Sequence, residues 1–358
     1  MSKPITMSRA YADGVAEEME RDGTIFVIGT DLYERGGHFA QVDGLGPRFG
    51  RDRVRDSPIS EAAMVASGVG AAMTGLRPIV DLNFVDFSLG AMDEIINQAA
   101  KMRFMSGCRV PLVIRATSGV ALFAAQHNNS LDALFAQTPG LLVAAPSTPA
   151  DAKGLIKSAL RGDDPVIYLM HKRIAGVRGV VDEITEPLPF GRGLVRREGT
   201  DISVVTYGAG VTKSLKAADE LLSQGIACEI IDLRTLYPLD YDLIEESVRK
   251  TRRCLVVTEE PSGRGIAGDI AASVQEAVFD LLEAPVGRLG GAHTPVPHSA
   301  PLVEQCVPQV ADVIAYVTAS FATRPKVATA PKGDPVARSS DPSLHLNVHA
   351  TDASGTQV

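Results

Sequence analysis

The sequence predicts an α/β fold with two domains, each built on a mainly parallel sheet. Short segments rich in valine and isoleucine alternate with segments of helical period and length, and this alternation occurs twice along the chain. Between the two runs, from about residue 171 to residue 200, charges, glycines and prolines replace the periodic pattern, as is typical of a connection between domains. With 358 residues, of which 45% are hydrophobic, the chain can fill one large core or two ordinary ones.

The first run begins with apolar residues at helical spacing in residues 7–21, followed by the strand TIFVIGTD. It continues with helices and strands in SPISEAAMVASGVGAAMTGL, RPIVDLNFVDF, AMDEIINQAAKMRFM, VPLVIRA, LLVAAPS, PADAKGLIKSALR and PVIYLM. The second run contains ISVVTYG, AGVTKSLKAADELLSQG, IACEIIDL, DYDLIEESVRKT, CLVVTEE, GIAGDIAASVQEAVFDLL and APVGRL. Within this second run, we expect the strand in IIDLRTLYPLD to end in a loop before the next helix begins.

These patterns predict the domain boundaries. We expect a first domain in residues 1–180, a linker in residues 181–200 and a second, smaller domain in residues 201–322. Residues 323–358 are rich in alanine, proline, serine and aspartate and have little apolar content. Because such a segment cannot bury enough apolar surface to fold, we expect a disordered tail.

Composition and cysteine spacing exclude several classes of protein. The formal net charge of −8 does not suit a nucleic-acid-binding protein, whose affinity depends on a cationic face. No apolar run is long enough to span a bilayer, and the N-terminus lacks the apolar region of a secretory signal, so we expect a cytoplasmic protein without a membrane partner. The four cysteines lack metal-ligand spacing, which predicts buried thiols and no metal site.

Glu61 is the first candidate site residue. It follows Pro58 in SPISEAAMVASGVGAAMTG, at the start of a helix, where a carboxylate also favours the helix dipole, so a structural and a catalytic role both stay open. The helix after it is rich in alanine, glycine and serine. Because glycine inside a helix costs about 1 kcal/mol relative to alanine, this helix is expected to pack closely on another backbone, in this chain or in a partner.

His127, in FAAQHNNSLDALF, is the second candidate. It follows the strand VPLVIRA and a loop of small residues, so it lies beyond the carboxyl end of a strand, where parallel sheets usually hold their ligands. A loop histidine is also commonly a surface or capping residue, and both roles stay open. Phe84 and Phe87, at the end of DLNFVDF, are either core aromatics or a platform on which a flat ring stacks.

A different class of protein is indicated by GRGIAG at Gly263–Gly268. It matches the GxGxxG dinucleotide fingerprint and follows the strand CLVVTEE, so an NAD-dependent oxidoreductase is an alternative. Glu259 and Glu260 would stand beside the pyrophosphate, and two further residues lengthen the turn, so we favour helix entry and close packing as the role of these glycines. The chain has no GxxxxGK[ST], GxSxG or HExxH motif.

Ordered sequence blocks across residues 5–318 resemble the E1 β subunits of pyruvate, branched-chain 2-oxo acid and acetoin dehydrogenases. The blocks include SPISEAAMVASGVGAAMTGLRPIVD, MDEIINQAAKMRFMSG, VPLVIR, AAQHNNSLDALFAQTPGLLVAAPSTPADAKGLIKSALRGDDPVI, EGTDISVVTYG, IIDLRTLYPLD, EESVRKTRRCLVVTEE and PQVADVIAYV. The resemblance implies a transketolase-like pyrimidine-binding domain followed by a domain like the C-terminal domain of transketolase.

The resemblance also implies an activity and its site residues. Glu61 falls on the glutamate of the family's ISE motif, whose carboxyl hydrogen-bonds N1′ of the aminopyrimidine of thiamine diphosphate. Phe87 falls on the aromatic residue that lies against the pyrimidine ring, and His127 falls on the AQH histidine that is associated with the substrate and with acyl transfer. The implied reaction is decarboxylation of a 2-oxo acid, by preference pyruvate, with transfer of the acyl group to lipoamide.

The absence of one motif from the sequence bears on which partner subunits the protein needs. The GDG motif with its downstream asparagine, which holds a metal ion against the diphosphate in thiamine-dependent enzymes, is absent here. The resemblance therefore implies an α subunit that holds Mg²⁺ and the diphosphate, in an α2β2 heterotetramer. It further implies a lipoyl-bearing E2 that docks on the second domain, and a potassium ion near the loop RGDDPVI.

Departures from the family bear on the substrate. The loop ATSGVALFAAQH is shorter than usual and has Leu122 and Phe123 where small residues are common, so we expect a narrowed or reshaped substrate approach. The family's usual acidic residue is missing after PVIYLM, and His298 stands where a tyrosine is common. Open alternatives are an acetoin dehydrogenase β subunit, half of a split transketolase, which would need a phosphate clamp near His127, and a non-catalytic scaffolding subunit.

Overall fold

A computed structural model describes residues 4–321 of the chain. Its strands are β1 (Ile5–Thr6), β2 (Ile25–Gly29), β3 (Val54–Asp56), β4 (Arg77–Phe84), β5 (Val113–Ser118), β6 (Leu142–Ala144), β7 (Val166–His171), β8 (Arg178–Gly179), β9 (Leu194–Arg197), β10 (Ile202–Thr206), β11 (Cys228–Asp232), β12 (Thr235–Tyr237), β13 (Cys254–Pro261) and β14 (Gly287–Gly291). Its α-helices are α1 (Met7–Arg21), α2 (Leu45–Phe49), α3 (Glu61–Met73), α4 (Ala100–Ser106), α5 (Asp132–Ala136), α6 (Pro149–Arg161), α7 (Ala209–Ser223), α8 (Tyr241–Thr251), α9 (Ile266–Val278), α10 (Ala300–Gln305) and α11 (Val310–Phe321).

Two large sheets organise this part of the chain. The first has seven strands in the order β12-β6-β7-β5-β4-β2-β3, all parallel to their neighbours except β12, which is antiparallel to β6. The second has five strands in the order β14-β13-β10-β11-β9, with β9 antiparallel to β11. The short β1 and β8 form a separate antiparallel pair. The predicted class, α/β with two mainly parallel sheets, is confirmed.

Helices cover both faces of the first sheet. Every residue of β5 is buried, as expected for a central parallel strand covered on both sides. On β4, the neighbouring residues Ile79 and Val80 point to opposite faces and enter different hydrophobic clusters. Ile79 belongs to the cluster of α1 and α6, and Val80 belongs to the cluster of α3 and the π-helical segment Glu94–Ala99. This double cover explains the continuous apolar runs in the sequence.

Helix α3 packs closely on its own sheet through one glycine. A Cβ atom at Gly68 would lie 2.6 Å from Val80 Cγ2 and 3.1 Å from Leu112 Cδ1. The neighbours are therefore side chains of the same domain, where the sequence analysis expected another backbone. The opposite side of α3, which includes Ala66 and Gly70, is exposed.

The structure differs from the sequence prediction in two segments. Within the expected linker at residues 181–200, Leu194–Arg197 form β9, an edge strand of the second sheet. Within IIDLRTLYPLD, the expected loop contains β12, which returns to the first sheet and pairs with β6. Because an unpaired β6 would leave an open sheet edge, this short strand covers it. The predicted tail at residues 323–358 lies outside the described residues.

The four cysteine thiols are free; Cys108 is half-buried and the other three are buried. Burial raises the pKa of Cys228 to about 11 and that of Cys254 to about 12, so neither is activated as a nucleophile at neutral pH. Among residues 4–321, no three His, Cys, Asp or Glu side chains are grouped so as to hold a metal ion. None of the helices in this range is long and apolar enough to cross a membrane.

Candidate functional site

The predicted site residues lie in segments that leave one edge of the first sheet. Glu61 follows β3, Phe87 follows β4 and His127 follows β5. These strands are parallel, so their carboxyl ends meet at the same edge, where ligands of α/β proteins usually bind. Since β3 and β4 both flank β2, about 10 Å separates the two outer strands.

His127 and the two predicted aromatic residues come together. The imidazole ring is 4.9 Å from the Phe84 ring and 5.4 Å from the Phe87 ring, in edge-to-face arrangements. The two phenylalanine rings are 5.7 Å apart. Neither ring nitrogen of His127 has a hydrogen-bond partner among the described residues. The histidine is therefore oriented by ring contacts and keeps both nitrogens available to a ligand.

Two further phenylalanines extend this group, which we call the ring cluster: Phe39, Phe84, Phe87, Phe123 and His127. Phe84 is its centre, with Phe39 at 5.7 Å and Phe123 at 5.5 Å. Phe39 and Phe123 also contact each other, at 6.0 Å. Phe123 is 41% exposed, so it forms the outer edge of the cluster. The residue that departs from the family pattern thus lies in the same cluster as the candidate histidine.

Glu61 is the first residue of α3 and is half-buried. Its carboxylate makes no hydrogen bond or ion pair with any residue in the described range. The preceding Ser60 does not cap the helix, because its hydroxyl donates to Pro58 O. No hydrogen bond or ion pair joins Glu61 to His127 and no ring contact involves it, so the structure brings Phe87 and His127 together and leaves Glu61 on the same edge.

Lys172 is a buried lysine beneath the ring cluster that the sequence analysis did not single out. Its Nζ donates to Gly119 O (2.6 Å) and lies 5.5 Å from the centre of the Phe84 ring. Burial lowers the pKa of Lys172 to about 8, against the opposing effect of the Asp86 charge.

The turn at Gly263–Gly268 is already occupied by a carboxylate. Ile266 N, at the start of α9, donates to Glu260 Oε2 (2.9 Å), and a Cβ at Gly265 would lie 2.4 Å from the same oxygen. A dinucleotide would need this helix N-terminus for its pyrophosphate. The geometry therefore argues against the NAD-binding alternative and supports helix entry and close packing as the role of these glycines.

Comparisons with known proteins define the class. Models of the transketolase pyrimidine binding domain and of the transketolase C-terminal domain match residues 3–176 and 191–313. A solved split-gene transketolase, an inactive β4 tetramer, superposes with a TM-score of 0.73 over 89% of this chain and 99% of its own, at 24% identity. The fold and the position of the ring cluster thus define a transketolase-like protein with a pyrimidine-binding and a C-terminal domain.

Sequence relatives define the family within this class. The 2-oxoisovalerate dehydrogenase subunit beta of Bacillus subtilis is 43% identical over 304 residues, covering 83% of this chain and 93% of the relative. The pyruvate dehydrogenase E1 component subunit beta of the same organism is 42% identical, covering 82% and 92%. The acetoin:2,6-dichlorophenolindophenol oxidoreductase subunit beta of Cupriavidus necator is 41% identical, covering 88% and 97%. The chain belongs to the E1 β subunits of the 2-oxo acid dehydrogenase family, which are components of oxidoreductases.

The family implies thiamine diphosphate, and the described residues fit the pyrimidine half of that cofactor. An aminopyrimidine offers N–H groups and a flat ring, so it needs hydrogen-bond acceptors and an aromatic surface. Glu61 supplies a carboxylate without a protein partner, and Phe87 supplies a ring that is only half-buried. Asp86, next to Phe87, has a buried Oδ2 with no hydrogen-bond partner in residues 4–321.

Proposed function

We propose that this chain is the β subunit of an E1 component that decarboxylates pyruvate with thiamine diphosphate, in complex with a separate α subunit. The proposal depends on one observation: the partner-free imidazole of His127 meets Phe84 and Phe87 at the sheet edge from which Glu61 also extends. The similarity to E1 β subunits over more than 80% of the chain supports the same function.

Each site residue is assigned a separate role. Bound thiamine diphosphate supplies the nucleophilic carbon of the reaction. Glu61 holds a proton at N1′ of the aminopyrimidine, and Phe87 orients that ring by lying against its face. His127 donates a proton or a hydrogen bond to an oxygen of the substrate and stays close to the acyl group during its transfer to lipoamide.

The remaining partners follow from the family pattern. Mg²⁺ and the diphosphate are assigned to the α subunit, because this sequence lacks the GDG motif. The assembly is an α2β2 heterotetramer, and a potassium ion near RGDDPVI is part of the proposal. The second domain is the proposed dock for the lipoyl-bearing E2.

The exposed side of α3 is the proposed contact surface for the α subunit. It presents small residues, among them Ala66 and Gly70, next to exposed apolar side chains. Ile59, just before α3, is 78% exposed, and Leu89, in the turn that packs on α3, is 54% exposed. Small residues permit close approach of a second backbone, and the apolar neighbours supply the buried area.

Ala66→Leu is expected to prevent assembly with the α subunit, because the larger side chain would keep the two proteins apart at the exposed face of α3 where close packing is proposed. The isolated chain should keep its thermal stability, since Ala66 is exposed and leucine is a good helix former. Size-exclusion chromatography of the co-expressed pair measures the effect. The matched control is Ala272→Leu on α9, also exposed, and an intact complex in the Ala66→Leu variant would contradict the proposed surface.

The position of Phe123 favours pyruvate over larger 2-oxo acids as the proposed substrate. Its ring contacts Phe84, the same ring that His127 contacts, and we infer that it limits the space open to an acyl side chain. The walls of this region are aromatic, and the nearby cation Lys172 is engaged by Gly119, which suits a small uncharged side chain.

Phe123→Ala is expected to shift specificity toward branched 2-oxo acids. The ratio of kcat/KM for 4-methyl-2-oxopentanoate to that for pyruvate should rise about tenfold, the effect of one or more methylene groups of added space. Leu122→Ala is the control, since Leu122 is exposed but makes no ring contact. An unchanged ratio in Phe123→Ala would show that this ring does not limit the acyl side chain.

The test of the proposed function is a parallel assay of the co-expressed α/β complex. Thiamine-diphosphate- and Mg²⁺-dependent reduction of an artificial electron acceptor is measured with pyruvate, three branched 2-oxo acids and acetoin. We expect the highest kcat/KM with pyruvate. A preference for acetoin would move the chain to the acetoin dehydrogenase subunits, and no response to any of the five would favour sugar phosphates and a split transketolase.

A further inference from the structure

The loop that carries His127 is attached at both ends to the second domain. We define the His127 loop as residues 119–133, from the end of β5 into α5. Near its start, Val120 N donates to Glu259 Oε2 (2.9 Å). Near its end, Ala133 N donates to Glu260 Oε1 (2.7 Å). Two consecutive side chains at the end of β13 therefore hold two backbone amides that are thirteen residues apart in the loop.

Each of the two glutamates is in turn fixed within the second domain or against β7. Glu260 accepts a second hydrogen bond from Ile266 N (2.9 Å), which ties it to α9. Glu259 accepts from Lys213 Nζ (3.2 Å) and contacts His171 Nε2 (2.8 Å). Arg173 N donates to His171 Nδ1, so the ring proton is on Nε2 and His171 donates to Glu259. Both attachment points are thus held by further hydrogen bonds of their own.

A third attachment lies beside Glu260. Tyr207 Oη, from the second domain, donates to Asp132 Oδ2 (2.9 Å), and Ser118 Oγ donates to Asp132 Oδ1 (2.8 Å). Asp132 is buried and stands one residue before Ala133. Burial and the nearby Glu259 charge raise the pKa of Asp132, although its two hydroxyl partners oppose the shift. Burial and the Asp132 charge raise the pKa of Glu260 to about 8.

The middle of the loop has a conformation that needs such support. Ala124 has φ +60° and ψ 178°, a region that side chains other than glycine rarely adopt, at a cost of roughly 1–3 kcal/mol. It immediately precedes the turn Ala125–His127. Asn128 holds the bend by donating to Ala124 O (2.7 Å) and accepting from Ala121 N (2.8 Å). Strain of this kind persists only where the surrounding structure fixes the backbone.

We propose that Glu259 and Glu260 are positioning residues for His127, through which the second domain fixes the imidazole against the ring cluster. The proposal rests on the proposed role of His127 in catalysis. It gives the second domain a direct part in the chemistry, because any movement of β13 relative to the first sheet is transmitted to both ends of the histidine loop. Neither glutamate touches a reacting atom; both act through the backbone of the His127 loop.

The test compares Glu260→Gln and Glu259→Gln with the control Glu276→Gln in the full α/β complex. Glu276 is exposed on α9 and has no side-chain partner in the described part of the chain. Each positioning variant is expected to lower kcat about 10²-fold, the usual effect of a displacement near 1 Å, with KM little changed. His127→Ala is expected to lower kcat by a similar factor, which leaves enough rate for a second loss to be measured.

A double-mutant cycle separates positioning from a general structural role. If the glutamates act through His127, adding Glu260→Gln to His127→Ala should change kcat less than twofold. A further loss close to the single-variant factor would overturn the proposal. Should Glu260→Gln fail to fold, Tyr207→Phe removes only the hydroxyl that binds Asp132 and should shift kcat in the same direction.

Amide hydrogen exchange provides a readout that does not depend on turnover. Amides of residues 119–133 are expected to exchange about tenfold faster in Glu260→Gln and Glu259→Gln, with the rest of the first domain unchanged. Unchanged exchange in the loop would refute positioning by the second domain. If exchange increases but the unmodified complex acts on no 2-oxo acid, positioning of the loop stands and the proposed function fails.

Discussion

Glu61→Gln in the α/β complex is expected to lower kcat about 10³-fold with every 2-oxo acid that the unmodified complex accepts. An amide keeps the size of the side chain but can neither take up nor hold the proton that the carboxyl shares with N1′ of the aminopyrimidine. Loss of a positioned acid–base group typically lowers a rate by 10²–10⁴-fold, and in the proposed function activation of the cofactor depends on this single group.

The same substitution should leave folding and cofactor binding nearly unchanged. The Glu61 carboxylate has no protein partner among residues 4–321, so the only structural loss is its favourable position at the helix N-terminus, worth about 0.3–1 kcal/mol. Affinity for thiamine diphosphate, measured by calorimetry, should fall by less than tenfold, because the proposed function assigns the diphosphate to the α subunit.

Glu220→Gln is the control for this prediction, since Glu220 is exposed on α7 and its carboxylate makes no contact in the described range. A Glu61→Gln complex that binds the cofactor and keeps kcat within a few-fold of the unmodified value would refute the catalytic role. It would then leave the helix dipole as the explanation for this carboxylate.

Sequence patterns predicted those helices and strands whose formation follows from the apolar pattern of their own residues. The apolar runs of β4 and β5 and the helical period of α6 follow from burial on one or both faces, so their positions agree with the structure. Strand β12 has three residues, and its partner β6 lies more than ninety positions earlier. Such pairing depends on the open edge of β6, and a strand of three residues is too short to show an alternating pattern in the sequence.

In the candidate site, too, some features could be predicted from the local sequence, whereas others depend on distant contacts. The order of strands and loops predicted that His127 lies at the ligand-binding edge, and its contact with Phe84 and Phe87 agrees with that expectation. Glu259 and Glu260 entered the sequence analysis only as obstacles to a nucleotide. In the His127 loop, their partners are backbone amides 139 and 127 residues away. Every residue except proline has such an amide, so the sequence does not show which amide a side chain will bind.

Asp81→Asn is expected to destabilise the chain by about 3 kcal/mol or more, the largest stability effect we anticipate. Arg115 and Asp81 are essentially fully buried, and Arg115 Nη1 lies 3.3 Å from Asp81 Oδ1 and 3.4 Å from Oδ2. In the described residues, Arg115 has no other ion-pair partner, and its Nε has no hydrogen-bond partner. Removing the carboxylate charge leaves a buried cation without compensation, which typically costs 3–5 kcal/mol.

Arg115→Met should cost less than Asp81→Asn because the two partners are not equally supported. Without Arg115, the Asp81 carboxylate still accepts hydrogen bonds from Gln41 Nε2 (2.9 Å) and Asn83 N (2.8 Å). In Asp81→Asn, the guanidinium keeps only uncharged partners among the described residues: the amide oxygen at position 81 and a weak contact from Nη2 to Met170 Sδ at 3.8 Å. The double variant should therefore be more stable than Asp81→Asn alone, since a methionine in place of the orphaned guanidinium removes the buried charge.

Urea unfolding of the purified chain measures these differences. The exposed pair of Arg103 and Asp164 is the matched control, because its side chains are 46% and 44% exposed and Asp164→Asn should cost at most about 1 kcal/mol. If Asp81→Asn fell within that range, the buried pair would contribute no more than a surface one. The desolvation of the buried guanidinium would then have to be offset by an acceptor for the Arg115 Nε–H, such as an internal water molecule.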